Sequence, residues 1–183
     1  MNDEIELMFR VKEGQLDKLA LLYEGNKVSL YNFFLRSGNS PALSEDLVQE
    51  TFMKVLAYRS GFQGSSTFKS WLYGIARNTQ ADYYRKSSNK KIHNDIDDHE
   101  QVEEQTLGEQ FEQVEQHKLF EASLNKLPPE HRDLIVLSRF QQLNYQEIAD
   151  MLDCNLNTLK ARIRKAISTL QQCYTSLTGE GRS

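Results

Sequence analysis

The chain has 183 residues, 22 basic and 26 acidic side chains, a net charge of −4 and two cysteines. That length allows one sizeable core or two small ones, and two cysteines with no CxxC partner exclude a disulfide-stapled scaffold and fit a reducing compartment. The charge is uneven, with 13 basic and 10 acidic side chains in residues 1–92, none and 9 in residues 93–117, and 9 and 7 in residues 118–183, so the low overall pI does not exclude a nucleic-acid partner.

The N-terminal MNDEIELMFR is acidic, and no stretch reaches the roughly 18 apolar residues that a membrane helix needs, so neither a signal peptide nor a transmembrane span is expected. Glu4 to Lys12 reads as a short amphipathic helix ending near Gly14. A second runs from Gln15 to Glu24 on an apolar stripe of Leu16, Leu19, Ala20, Leu22 and Tyr23, and Gly25 predicts a break. Lys27 to Arg36, apolar on most sides, predicts a core helix closed by the loop Ser37-Gly38-Asn39-Ser40-Pro41.

Ser44 is a good N-cap, and the helix after it, to about Tyr58, buries Leu47, Val48, Phe52, Val55 and Leu56. Asp46, Gln49, Glu50 and Met53 then share the outward face, by spacing alone a solvated surface. A Gly- and Ser-rich segment follows, with Phe62 isolated between Gly61 and Gln63. From about Ser66 a longer helix places Phe68, Trp71, Leu72, Ile75, Ala76 and Thr79 inside, and Tyr73, Arg77, Asn78, Tyr84, Arg85 and Lys86 on its other faces. Residues 69–91 carry Lys69, Arg77, Arg85, Lys86, Lys90 and Lys91 against the single acid Asp82. Aromatics interleaved with cations suit single-stranded nucleic acid, where bases stack on rings and cations follow phosphates. The same pattern fits core aromatics under a basic, soluble face.

From Ser87 to about Glu109 periodicity fades, which predicts a flexible acidic linker. His93 and His99 lie there among Asp95, Asp97 and Asp98, but without pre-organising structure no metal site is expected. Gln110 to Lys126, with Phe111, Val114, Leu119 and Leu124, opens a second helical domain. Leu127-Pro128-Pro129-Glu130 restarts it, since proline suits a first helical turn, and His131 to Phe140 packs Leu134, Ile135 and Leu137.

Asn144 stands three residues before Glu147, the spacing of a capping box, so a short helix runs from about Tyr145 to Leu152 and stops at Asp153-Cys154-Asn155. Asn155 caps another helix that buries Leu156, Leu159, Ile163, Ile167 and Leu170 and leaves Asn157, Lys160, Ala161, Arg164 and Lys165 opposite. This is a helix-turn-helix pattern with a basic face, of a shape and charge suited to the major groove of DNA. The segment alone is also compatible with an ordinary bundle helix, and with a dimeric operator-binding regulator. No phosphate loop and no nucleophile with a plausible base is present, so an enzyme is not expected.

In order, SEDLVQETFMKVL, FKSWLYGIARNTQADYYRK, LPPEHRDLIVLSRFQQLNYQEIADML and NTLKARIRKAISTL resemble a bacterial RNA polymerase sigma factor of the extracytoplasmic-function (ECF) group, over roughly residues 10–172. Helical periodicity along the chain, with few β-branched alternations, predicts an all-α protein, and no cofactor is expected. The resemblance implies a region 2 type domain over residues 1–91, an acidic linker over 92–109, a region 4 type helix-turn-helix domain over 110–175 and a frayed tail over 176–183, with no added sensory domain.

It further implies that Asp46, Gln49, Glu50 and Met53 dock on core RNA polymerase, overriding the bland reading of that face. Phe62 and Gln63 with Asn78 would capture a flipped base of the minus-ten element, while Arg77, Arg85 and Lys86 hold the backbone. Asn157, Thr158, Lys160, Ala161, Arg164 and Lys165 would read the minus-thirty-five duplex. Where the family usually has Gly-Thr-Val, this chain has Asn157-Thr158-Leu159. An anti-sigma factor, a cytoplasmic location and a stress-responsive role are further expectations of the resemblance.

Overall fold

The structure, a computed structural model, describes residues 3–91, 111–141 and 143–179, though not the side chains of residues 89–91 and 111–114. The acidic stretch with His93, His99, Asp95, Asp97 and Asp98 lies outside them. Every regular element among the described residues is helical. They fall into two compact units, residues 1–34 with 40–100 and residues 35–39 with 101–183.

In the first unit α1 (Asp3–Lys12) buries Met8 and Val11. The second helix, α2 (Asp17–Arg36), passes straight through Gly25, where a break was expected. The reason lies one residue on. Asn26 is 3% exposed and donates to the Leu22 carbonyl at 2.9 Å and to Glu4 Oε1 at 2.8 Å, so its amide both stays in the helical path and fastens α1 to α2. Packing overrides glycine's weak helix propensity.

Helix α3 (Pro41–Ala57) starts earlier than Ser44. Ser40 is its N-cap, with Oγ accepting from the Leu43 amide at 3.3 Å, and Pro41 supplies a preset first turn. Ser44 is instead buried within the helix. Leu47, Val48, Phe52 and Val55 are buried as expected. A short 3₁₀ turn (Arg59–Gly61) leads to α4 (Phe68–Lys91), whose start is fixed by the Ser70 amide donating to Thr67 Oγ1 at 3.2 Å. Helices α3 and α4 pack side by side.

Tyr73, expected on an outer face, is fully buried with its ring 5.2 Å from Phe33, while Trp71, expected in the core, is only partly buried. The stripe on α4 is simply wider than the spacing of Phe68, Leu72 and Ile75 implied. Burial pushes the Tyr73 phenol up to about 12, a hydrogen bond with Ser29 opposing it.

The second unit contains α5 (Phe111–Asn125), α6 (Pro129–Arg139), α7 (Tyr145–Met151) and α8 (Leu156–Thr178), with α8 packed against the other three. Four consecutive residues of α6, Leu134 to Leu137, are buried, so this helix is enclosed on more than one side. Pro128 and Pro129 form its N-terminus as expected. The end of α5 is closed by a side chain that periodicity could not announce. Arg132 Nε donates to the Leu124 carbonyl at 3.0 Å and Nη2 to the Leu127 carbonyl at 3.3 Å, satisfying groups that a helix end leaves unpaired.

Both ends of the capping box form: the Glu147 amide donates to Asn144 Oδ1 at 2.9 Å and the Asn144 amide to Glu147 Oε2 at 2.8 Å. The chain reverses at Asp153, in the left-handed region at φ 48°. Asn155 Oδ1 then accepts from the Thr158 amide at 2.8 Å and starts α8. That helix runs to Thr178, into the segment expected to fray, and ends at Gly179 with φ 73°.

Candidate nucleic-acid interface

Three polar faces carry the sequence candidates. On α3, Asp46, Gln49 and Met53 are exposed, Met53 by 67%, while Glu50 is partly covered and lies 3.6 Å from Lys54 Nζ.

On the first unit a groove of about 390 Å³ is lined by Lys54, Tyr58, Ile75, Asn78, Ala81, Asp82 and Arg85. Ile75 and Ala81 supply apolar lining, and the other side chains add an amide, two cations and one carboxylate. Tyr58, 57% exposed, offers a ring at the mouth. Of the minus-ten candidates only Asn78 and Arg85 line it; Arg77 is partly buried, and Gln63 and Lys86 are exposed elsewhere. Lys54, Tyr58 and Asp82 were missed. A signal existed for two of them, since Lys54 and Tyr58 stand i, i+4 at the end of α3.

Phe62 is turned inward. Its ring is 1% exposed, 5.4 Å from Phe9 and 5.1 Å from Trp71, and its carbonyl accepts from Lys12 Nζ at 2.6 Å. Burying a phenylalanine stabilises by about 1.5–3 kcal/mol, so the ring anchors its loop in the free protein. Gly64 completes the anchor. At φ 69° it sits where a Cβ would come 2.8 Å from the Phe9 ring, so a larger residue would displace the loop.

Lys54 Nζ donates to Asp82 Oδ2 at 2.9 Å and Arg85 Nη2 to Asp82 Oδ1 at 2.8 Å. The Lys54 bond, reinforced by Arg85 and Lys86, holds the Asp82 carboxyl below the usual carboxylate range.

On the second unit α8 carries Lys160, Arg162, Arg164 and Lys165 and no acidic residue. Asn157, Lys160, Ala161, Arg164 and Lys165 are all exposed, and Thr158 is partly covered with its amide engaged by the Asn155 cap. Arg162, also exposed, was missed because it falls between the two faces read from spacing. The stems of Lys160 and Arg164 line a shallow apolar recess with Tyr145, Ile163 and Ile167. Their charged ends are thereby left to solvent.

Family comparisons match both units. The family model for Sigma-70 region 2 matches residues 22–90, and that for Sigma-70, region 4 matches residues 117–170. The chain is 30% identical over 178 residues to the ECF RNA polymerase sigma-E factor of Escherichia coli strain K12, covering 91% of each. It is 28% identical to the RNA polymerase sigma factor YlaC of Bacillus subtilis strain 168, over 91% of this chain and 97% of that protein. Among solved structures it resembles the sigma factor RpoE in complex with the anti-sigma factor NepR from Bartonella quintana, at a TM-score of 0.70 and 25% identity, covering 87% of this chain and 96% of that one. The region 2 match spans α3 and α4, and the region 4 match spans α6, α7 and the basic part of α8.

Proposed function

We propose how promoter reading is divided within this chain, which belongs to the bacterial RNA polymerase sigma factors of the extracytoplasmic-function group. As a sigma factor it binds core RNA polymerase and directs promoter-specific initiation; it is not an enzyme, and the polymerase performs the chemistry.

The region 2 type unit, residues 1–91, docks through Asp46, Gln49, Glu50 and Met53. The groove at Asn78 receives one unstacked base of the minus-ten non-template strand, with Arg85, Lys86 and Arg77 serving the backbone and Gln63 the loop beside it. Opening costs a few kcal/mol per extruded base, which amide hydrogen bonds and phosphate contacts must offset. The region 4 type unit, residues 110–175, uses α7 and α8 as a helix-turn-helix. Asn157, Thr158, Lys160, Ala161, Arg164 and Lys165 face the minus-thirty-five duplex, and Ala161 permits close approach. The linker over 92–109 keeps the two at promoter spacing, and its acids mimic nucleic acid to discourage free sigma from binding DNA.

An anti-sigma factor is the expected regulator, by analogy with the RpoE relative bound to NepR. No described helix is long and apolar enough to cross a membrane, and a cytoplasmic site of action follows from the polymerase partner.

The groove around Asn78 is the observation that carries this reading. Asn78→Ala holoenzyme should fail to open promoter DNA, followed by permanganate reactivity of unpaired thymines, while binding core polymerase normally. A parallel loss of core binding would refute the role given to Asn78.

A further inference from the structure

One carboxylate holds two cations at the rim of the Asn78 groove, and the two bonds are unlike. Lys54, with its side chain 19% exposed, reaches Asp82 Oδ2 from the neighbouring helix, with Glu50 as a second acid 3.6 Å away. Arg85, 73% exposed, reaches Oδ1 from three residues along the same helix. The first bond braces α3 against α4. The second is a solvent-facing pair, of a kind worth little and readily exchanged. A guanidinium donates to carboxylate and to phosphate through the same planar fork, so whatever holds Arg85 in the free protein competes with a strand for it. Asp82 is also the only acid between residues 69 and 91.

Building on the assignment of α4 to the minus-ten strand, we propose that Asp82 is an internal stand-in for a DNA phosphate: it occupies Arg85 until strand capture exchanges the carboxylate for a backbone phosphate, while Lys54 keeps its bond. Held below the usual range, the carboxyl is ionised throughout the neutral range and always available to compete. Each strand that uses Arg85 must displace it, whatever its sequence. Asp82 thereby lowers sequence-independent affinity and leaves selectivity to the groove. Its role is positioning, exerted through Arg85.

The test uses the full chain bound to core polymerase and a fluorescent single-stranded non-template oligonucleotide, cognate or with its minus-ten bases replaced. Asp82→Asn should tighten binding of both by about two- to fivefold at low salt, less at high salt, and the gain should vanish in an Arg85→Ala background. Lys54→Met, which loses the brace but keeps the Arg85 bond, should lower the melting temperature without tightening binding. If Asp82→Asn fails to fold, Lys54→Met/Asp82→Asn compared with Lys54→Met leaves no unpaired ammonium between the helices and should show the same gain. Unchanged or weaker binding on loss of Asp82, where Arg85→Ala weakens binding, overturns the stand-in role alone. A gain that persists without Arg85 also overturns it, as a general charge effect. If Arg85→Ala leaves binding unchanged, the assignment of α4 to the strand fails as well.

Discussion

Lys160 and Arg164 stand i, i+4 on α8, and their stems lie over Tyr145, Ile163 and Ile167. Truncation therefore removes both a charge and the cover of an apolar recess. Arg164→Ala should cost about 1–3 kcal/mol of duplex affinity and relax sequence preference upstream if the residue reads a base, measured on a panel of minus-thirty-five variants. Equal weakening on every variant would assign it to phosphate. Tyr73 gives a test in the opposite environment. Its phenol is pushed up to about 12 by burial, so the unfolded chain loses this proton first as pH rises. The stability it contributes is fully present below about pH 10 and is lost between about 10 and 12, on the order of 2–3 kcal/mol. Thermal unfolding against pH should show this alkaline loss, and Tyr73→Phe should flatten it; an unchanged alkaline limb would contradict the burial argument.

At the scale of elements, local chemistry and tertiary packing divide what could be read in advance. The Asn144 and Asn155 caps were legible because a cap is made by neighbours in sequence, and both formed with the expected amides. Asn144→Ala should lower stability by about 0.5–2 kcal/mol, seen as an earlier denaturation midpoint of the second unit, and no shift would mean that the box is dispensable. The continuation of α2 through Gly25 was not legible, because it depends on Asn26 finding Glu4 on another helix. Ser44 was expected as the cap, and the first turn preset by Pro41 put the cap at Ser40 instead. The groove was half legible for the same reason. Spacing showed Asn78 and Arg85 off the apolar stripe of their helix, but Lys54 and Tyr58 arrive from α3, and only packing joins the two helices. Phe62 was legible only as an isolated apolar residue in a loop, because the partners that set its ring inside, Phe9 and Trp71, are remote in sequence.

For the whole molecule, the order of segments carried more than any segment. The short run over Asp46 to Phe52, the aromatic helix around Trp71 and the Asn155-capped basic helix are each ambiguous. Their succession is shared with the E. coli sigma-E factor over 91% of both chains. The charge plan adds a test of its own. Neutralising the acids within residues 93–109 should raise the affinity of the free protein for DNA in a filter-binding titration, and an unchanged affinity would remove the mimic role.

Whether this chain gives core polymerase its promoter choice is decided by in vitro transcription from a pool of genomic promoter fragments, with purified core polymerase alone and with the protein added. Discrete transcripts appearing only with the protein, from promoters sharing one minus-ten and one minus-thirty-five motif, are the predicted result. No new transcripts, together with selection of palindromic duplexes by the protein alone, would contradict it.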